Sequence, residues 1–366
     1  MRSTWLRISL LLLLGMLLLA LGTRIVSAVA SRMTMPTGGA QWIWVERNRT
    51  DQSPAAFYAV RDFFLDQAPA RARLLILADP EYVLTLNGKR IGSGQYQPGG
   101  PARLDVYEVG DLLTAGGNRL LVELRSDRGA GGLLAALQDG DGLTLVRTDG
   151  DWRIVSRHHF GLVRGLLPIG PDDDLDSLPA FVWGTPPTGR WGRPEVGPVL
   201  PRLTGLMQGA SLAARRLPSL PIPGLPPTSA RHVALFDWGR EVTGYLTLQM
   251  PVGEGLRKAL LFTGDQPPDP LRDRPAGAVL AMTGRRSWTD AQARRFRYAL
   301  VIGDKPASAR VLPVDPKWAA RIPEAGGGKE VEGVFGLEPP PLRTPVQDEI
   351  WRELERVPRV GRRKDR

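Results

Sequence analysis

The chain has 366 residues, 42% of them hydrophobic, and a formal net charge of +10. Because single domains mostly comprise about 100–150 residues, this length predicts two or three domains, each with its own core. The 42 glycines and 33 prolines favour short strands and turns over long helices. Cysteine is absent from the sequence, which excludes disulfides, thiolate metal sites and a lipid-modified cysteine anchor.

The N-terminal residues carry the pattern of an export signal. Two arginines precede an apolar run over residues 8–22, and the small residues 28–30 (AVA) form a site of the kind that signal peptidases cleave. Since a spanning helix needs about 20 apolar residues, the shorter run favours a cleaved signal. Arg24, between the run and AVA, leaves an uncleaved membrane anchor open. We assign residues 1–30 to a signal peptide or signal anchor, and expect the body in the periplasm, the cell envelope or the extracellular space.

Short apolar segments predict an all-β region at residues 40–157. Asn87 and Gly88 lie between two of these segments, and Asn-Gly indicates a type I′ hairpin turn because both residues accept a positive φ. Seven or eight strands joined by such turns predict a β-sandwich. The predicted strands are residues 41–45 (QWIWV), 57–65 (FYAVRDFFL), 74–78 (LLILA), 82–86, 89–92, 120–125, 133–138 and 152–155.

Residues 158–229 are rich in proline and glycine, which predicts a linker or a long loop that crosses the sandwich surface. Asp172, Asp174 and Asp176 have the spacing of a calcium loop, but the positions of its turn glycine and closing glutamate hold other residues. This argues against a calcium loop there. Trp183 and Trp191 of the same stretch have two interpretations, stacking on a sugar ring or anchoring the loop by packing, and packing is favoured.

A second β-region is predicted at residues 230–338. Alternating apolar residues follow His232, and further strand patterns occupy residues 259–263 and 296–302. Near its start, Asp237 and Glu241 flank a tight turn; a charge network that shapes the strand entry is a simpler interpretation than a catalytic pair.

Residues 339–366 predict a capped helix and a basic tail. Thr344 with Gln347 forms a capping box, and Val346, Ile350 and Leu354 form an apolar stripe. The stripe is expected to pack on the second β-region, and docking to another protein is the alternative. The basic tail suits a solvated terminus better than a specific anionic partner.

The order of several motifs resembles a known family. WIW, ADPEYVLTLNGKRIG, LDVYEVGDLL, GGNRLLVEL, GGLLAAL and DGDW follow one another as in the N-terminal galactose-binding-like jelly roll of bacterial α-L-rhamnosidases. FDWGREVTGYL, RRFRYALVIG and EGVFGLEPPPL are similar to segments of the second sandwich of that family. The resemblance implies two β-sandwich, jelly-roll domains joined by a Pro/Gly-rich linker, with a short C-terminal helix. In the family the acid and base lie in a catalytic barrel, so we expect a protein that is not an enzyme.

The resemblance also implies candidate site residues. Some jelly rolls of this type bind a terminal sugar with the help of calcium, through acidic residues before the Tyr-containing strand. Pro80 stands where an acidic or amide residue is usual, so we predict no cofactor and no metal ligand, with calcium left open. The predicted carbohydrate-binding residues are Asp79, Glu81 and Asn87 for the hydroxyls and Trp42 or Trp44 for stacking, with core packing as the alternative for both tryptophans.

We therefore hypothesise an exported, non-catalytic carbohydrate-binding or accessory protein that contacts cell-surface or extracellular glycans. One alternative is a structural or assembly partner of a separately encoded glycosidase. A divergent hydrolase is the third reading and requires two acidic residues in one cleft. His158-His159 does not predict a metal pair, because adjacent residues of a strand point to opposite faces. The membrane is a partner only if the N-terminal segment is uncleaved, and no nucleic acid is expected.

Overall fold

The computed structural model of the chain describes residues 13–23, 35–49, 53–96, 101–156, 177–203, 210–218, 232–251, 253, 255–270, 272–282, 287–320, 322 and 350. These residues are mostly β-structure in three sheets with few helices, which confirms the predicted all-β class. The AVA site, His158-His159, the three spaced aspartates, the basic tail and all of the C-terminal helix except residue 350 lie outside the described residues. Residues 13–23 are helical and exposed. No helix in the described ranges is long and apolar enough to cross a membrane.

The first β-region consists of two sheets. One has the order β12-β1-β8-β3-β6-β13, with β9 on β8, and the other has the order β11-β10-β2-β7-β4-β5. Neighbours are antiparallel except β6 and β13, which are parallel. The strands are β1 (Trp42–Trp44), β2 (Ala55–Leu65), β3 (Ala72–Asp79), β4 (Glu81–Leu86), β5 (Lys89–Gln95), β6 (Arg103–Glu108), β7 (Gly116–Ser126), β8 (Gly132–Asp139), β9 (Thr144–Arg147), β10 (Arg153–Val155), β11 (Ser177–Pro179), β12 (Phe181–Gly184) and β13 (Glu195–Val199).

The core of this region lies between its two sheets. Alternate side chains of each strand face inward, as the two-residue period of a strand requires, for example Leu74 and Ile76 of β3 opposite Leu120 and Val122 of β7. The predicted hairpin is present: Asn87 has φ 48° and Gly88 has φ 76°. Burial of one face of every long strand therefore fixes the sandwich-like layering that the alternation indicated.

The described part of the predicted linker is not a free linker. β11, β12 and β13 extend the edges of the two sheets, and two further short strands of the same stretch pair with the second region. Between β12 and β13, Trp191 stacks on Trp42 at 4.2 Å between ring centroids and covers the outer face of the first sheet. Proline is tolerated on edge strands, which is why the composition concealed them.

The second β-region is one continuous hydrogen-bonded sheet. Its order is β14-β20-β16-β19-β17-β18, with β15 on β16. The long strands β16 and β19 carry it, and their register shifts between Asp237 and Val242. The elements are β14 (Leu212–Ala213), β15 (Arg215–Leu217), β16 (Val233–Gln249), β17 (Arg257–Gly264), β18 (Gly277–Ala281), β19 (Ser287–Gly303), β20 (Ser308–Pro313) and the helix α1 (Pro316–Ala319).

Both faces of this sheet are buried in part. Phe236 and Val301 belong to one hydrophobic cluster, and Leu235 and Leu300 belong to a second one on the other face. Ile350 is helical and packs into the second cluster. The one described residue of the predicted C-terminal stripe thus packs within the chain, as expected.

Candidate functional site

The two β-regions contact each other through the outer face of β4, β5 and β7 and through β19. Ser93 Oγ donates a hydrogen bond to the carbonyl oxygen of Ala291 at 2.8 Å. Arg125 Nη1 donates to the carbonyl oxygen of Thr289, also at 2.8 Å. Met282, just after β18, packs on apolar residues of the first region. Polar and apolar contacts thus place β19 against the first region.

A cavity of about 100 Å³ lies at this contact. It holds space for several water molecules, because one water needs roughly 10–15 Å³ on the same measure. Both regions contribute its polar lining: Glu81, Gln95 and Asp127 from the first, and Trp288, Asp290 and Arg294 from the second, with Arg125 between them.

Arg125 is buried in the wall of the cavity and contacts groups of both β-regions. Its side chain is 1% exposed, and its Nε and Nη2 both donate to Glu123 Oε1, at 2.8 and 2.5 Å. Its Nη1, bound to the Thr289 carbonyl, lies 3.5 Å from Glu81 Oε1. The guanidinium carbon lies 5.2 Å from the centroid of the Trp288 ring, a cation–π distance. Glu81 is therefore the second, more distant carboxylate of a guanidinium that Glu123 already neutralises.

Burial raises the pKa of two carboxyl groups of the cavity. Burial raises the pKa of Glu81 to about 7, although Arg125 counteracts it, and nearby Asp290 adds to the rise. Burial also raises the pKa of Asp127. Asp290 is held by Arg294, whose Nε donates to its Oδ2 at 2.5 Å. At neutral pH Glu81 is therefore present in both forms, so it both donates and accepts hydrogen bonds.

This set of groups suits a ligand with several hydroxyls. Carboxylates accept, and the guanidinium, the Gln95 amide and the Trp288 indole donate, within one small volume. The Nε1 of Trp288 is buried and has no hydrogen-bond partner among the described residues. In the described ranges no group of three or more His, Cys, Asp or Glu side chains is arranged to hold a metal ion.

The structure separates the residues that the resemblance grouped together. Glu81 lines the cavity, but Asp79 ends β3 in the other sheet, and its Oδ2 accepts from Arg190 Nε and Trp191 Nε1, both at 2.8 Å. Asn87 directly follows β4, roughly 20 Å from Glu81 at about 3.3 Å a residue. Its Nδ2 donates to the Leu112 carbonyl at 2.9 Å and to Asn118 Oδ1 at 2.8 Å, near the start of β7. Neither Asp79 nor Asn87 faces the cavity.

Trp42 and Trp44 are core residues. Both are 0% exposed, so neither presents a ring face on which a sugar could stack, and the core-packing alternative describes them. Trp191 and Trp183 also pack, Trp191 on Trp42 and Trp183 with its Nε1 donating to the Gly131 carbonyl at 3.2 Å. The prediction of sugar stacking was wrong because the segment between β12 and β13 covers the surface on which these rings would have been exposed.

Asp237 and Glu241 are paired with arginines, as the charge-network interpretation expects, but they lie within β16 at its register shift and not at a turn that begins the strand. Asp237 accepts from Arg297 Nε at 3.0 Å and from the backbone N–H of Gly239 at 2.7 Å. Glu241 pairs with Arg295 at 3.1 Å. These carboxylates are bound by arginines of β19 on either side of the register shift.

Asp127, Trp288, Asp290 and Arg294 were not predicted as site residues. The first lies in a loop of one region and the others on β19 of the second, so only the contact between the regions brings them to one cavity. Three carboxylates line this cavity, and the condition stated above for a divergent hydrolase, two acidic residues in one cleft, is therefore met there.

The sequence matches no family model and no curated protein. Among solved structures, it is similar to an α-L-rhamnosidase from Dictyoglumus thermophilum, with 17% identity, a TM-score of 0.47, and coverage of 75% of this chain and 35% of the other. It is also similar to an α-L-rhamnosidase from Aspergillus terreus, with 19% identity, a TM-score of 0.48, and coverage of 75% of this chain and 36% of the other. A lectin from Pleurotus ostreatus in complex with GalNAc matches with 16% identity, a TM-score of 0.36, and coverage of 75% of this chain and 77% of the other. The chain thus spans about a third of the length of these rhamnosidases. The matched part is three quarters of this chain.

Proposed function

We propose that this protein is an exported, non-catalytic carbohydrate-binding protein that contacts cell-surface or extracellular glycans. The cavity between its two β-regions is the proposed binding site. The observation that carries the proposal is the concentration of carboxylate, guanidinium, amide and indole groups in one cavity of about 100 Å³. The ordered motifs shared with the β-sandwich domains of rhamnosidases support the same function.

The proposed roles follow from the chemistry of each side chain. Glu81 and Asp290 accept hydrogen bonds from sugar hydroxyls, and Arg294 and Gln95 donate to sugar oxygens. Because the lining comes from both regions, the complete site requires them to be in contact.

A glycan array followed by calorimetry tests the proposal. The purified chain is screened against neutral, acidic and amino oligosaccharides, with and without calcium, and the best ligand is titrated into the variants. Asp290→Asn and Gln95→Ala are expected to weaken binding about tenfold each, since each removes hydrogen bonds worth roughly 1–1.5 kcal/mol. Asp237→Asn, outside the cavity, is the matched control and should bind normally. Binding that survives both cavity variants would place the site elsewhere.

The convergence of carboxylates favours one second candidate, a glycoside hydrolase acting in the same cavity. A protonated Glu81 is suited to donate a proton to a leaving oxygen, and Asp290 or Asp127 to activate water. Incubation with aryl glycosides, rhamnosides included, separates the two functions. Turnover that Glu81→Gln abolishes would establish the hydrolase, and binding without turnover supports the non-catalytic protein.

The assembly-partner hypothesis would use the apolar stripe of the C-terminal helix. Ile350, its one described member, is already buried within the chain, which favours glycan binding over docking through that residue. Pull-down from an extract distinguishes the two, since an assembly factor retains a glycosidase and a glycan-binding protein retains oligosaccharide alone.

A further inference from the structure

Phe64, near the end of β2, is an aromatic side chain in an unusual place. It is 71% exposed, whereas every other aromatic residue in the described part of the chain is buried or half-buried. On β2, β7 and β10 it is also the one large apolar residue that is exposed. A single side chain is too small for a protein interface, which buries about 800 Å² on each partner. It is large enough for one sugar ring to stack on it.

Gly117 of β7 lies directly opposite Phe64, and the pairing there has no register shift. Gly116 has φ 94°, which explains a glycine at that position, but Gly117 has no positive φ. A Cβ at Gly117 would meet no other part of the chain within 4 Å. Neither the backbone nor the packing therefore requires a glycine, which weakens a strand. Such a glycine is typical of a place where a ligand approaches the backbone closely.

A fixed carboxylate lies on the same face of the sheet. Asp62 and Phe64 are two residues apart on β2, so their side chains project from one face, about 7 Å apart. Asp62 accepts from Arg119 Nε at 2.5 Å and Nη2 at 2.9 Å, and from Arg153 Nη2 at 2.8 Å. Burial opposes its ionisation, but the hydrogen bonds and charges of the two arginines outweigh burial and lower its pKa. The Asp62 carboxylate is therefore ionised and held in place, and its side chain is 44% exposed.

We propose that Phe64, Gly117 and Asp62 form a second carbohydrate-binding site, the Phe64 platform, which binds one neutral hexopyranose of a glycan. The apolar C–H face of the sugar lies on the Phe64 ring and over Gly117, and a hydroxyl at its edge donates to Asp62. A carboxylate has about four acceptor positions, and the arginines occupy three of them, so one is left for the hydroxyl. The inference rests on the proposed function, to which it adds a site outside the cavity.

Titration of the isotope-labelled full chain, followed by its amide NMR signals, tests the platform separately from the cavity. Gly117 of the platform and Arg125 of the cavity lie on one face of β7 about 26 Å apart, so nearby signals report each site alone. The probes are cellotriose and galactotriose. We expect at least one of them to shift the amide signals of Asp62 and Arg119. Phe64→Ala should weaken this binding about tenfold, because the contact with the ring is lost.

Gly117→Val separates binding from stability. Valine favours strands and its Cβ meets open space, so the melting temperature should stay the same or rise, whereas the side chain takes the place of the sugar and should abolish binding. Leu143→Ala is the matched control, because it shortens a residue that is 67% exposed and lies before β9 in the other sheet. It should leave the response of Asp62 and Arg119 unchanged.

Three results would overturn the Phe64 platform. They are a lower melting temperature for Gly117→Val, no response of Asp62 and Arg119 to either trimer, and the same response in Phe64→Ala as in the wild type. The proposed function stands in each case if a glycan binds and Asp290→Asn in the cavity weakens that binding. Failure of every glycan to bind overturns both.

Discussion

The contact between Asp79 and the segment from β12 to β13 yields a sharp test of the fold. Asp79 Oδ2 accepts hydrogen bonds from Arg190 Nε and Trp191 Nε1, both at 2.8 Å, and forms an ion pair with Arg190 Nη2 at 2.7 Å. Trp191 in turn stacks on Trp42. Replacing Asp79 by alanine removes the acceptor and leaves a buried indole N–H unpaired.

The expected cost is the sum of two unequal parts. The unpaired Trp191 Nε1 costs about 1–3 kcal/mol, because its ring is 7% exposed and water has little access to it. The ion pair with Arg190 adds at most about 1 kcal/mol, since Arg190 is 56% exposed. Asp79→Ala should therefore destabilise the covering segment by about 1–4 kcal/mol. Asp79→Asn keeps a carbonyl acceptor for Trp191 and should cost about 1 kcal/mol.

Chymotrypsin cleavage after Trp191 under native conditions measures this opening, with fragments identified by mass spectrometry. A loss of about 2 kcal/mol raises the open population, and hence the cleavage rate, by roughly 30-fold. Trp191→Phe replaces the indole by a smaller ring and removes the Nε1 donor. In a double-mutant cycle, Asp79→Ala should therefore cost less stability in the Trp191→Phe background than in the wild type. Wild-type cleavage rates for Asp79→Ala would refute the anchoring role of Asp79.

Three other predictions follow from the same geometry. The pKa of Glu81 is raised from 4.5 to about 7, so between these pH values the folded state binds a proton that the unfolded state has lost. The resulting contribution to stability, up to about 3 kcal/mol, is present below pH 4.5 and is lost as the pH rises to 7. Glu81→Gln should remove this part of the pH dependence in denaturant titrations. Tyr82→Phe removes the hydroxyl that donates to Asp105 Oδ2 at 2.5 Å and should lower the free energy of unfolding by about 1–3 kcal/mol, measured by urea denaturation; an unchanged midpoint would contradict this. Asn87→Gly keeps the positive φ of the turn and loses the side-chain hydrogen bonds, whereas Asn87→Ala also strains the backbone, so alanine should be the more destabilising by about 1 kcal/mol, and equal melting shifts would count against the turn geometry.

Much of the first β-region could be predicted from local patterns. The predicted strand at residues 74–78 lies within β3, Ala72–Asp79, and the predicted return strand after Asn87-Gly88 begins β5 at Lys89. These predictions succeed because alternation of apolar residues and the φ preference of Asn-Gly are local properties. The edge strands of residues 177–217 escaped notice, since their partners are distant in sequence and proline dominates their composition.

The arrangement of the site residues, in contrast, could not be predicted from local patterns. Glu81 was singled out by the family resemblance, yet its neighbours there, Asp79 and Asn87, face other parts of the molecule. Pro80 connects β3 and β4, which belong to different sheets, so Asp79 and Glu81 lie on different sheets of the sandwich. Spacing along the chain does not reveal that separation.

The sequence by itself determined the all-β class, the alternation that buries one face of each strand and the hairpin at Asn87, because each depends on residues close in the chain. Only the tertiary structure decided that β4 and β19 meet, and with them Glu81 and Asp290, more than two hundred residues apart. That contact brings Asp290 close to Glu81, where it adds to the rise of the Glu81 pKa that burial causes. Burial and charge balance are properties of the packed molecule, and they define its candidate binding site.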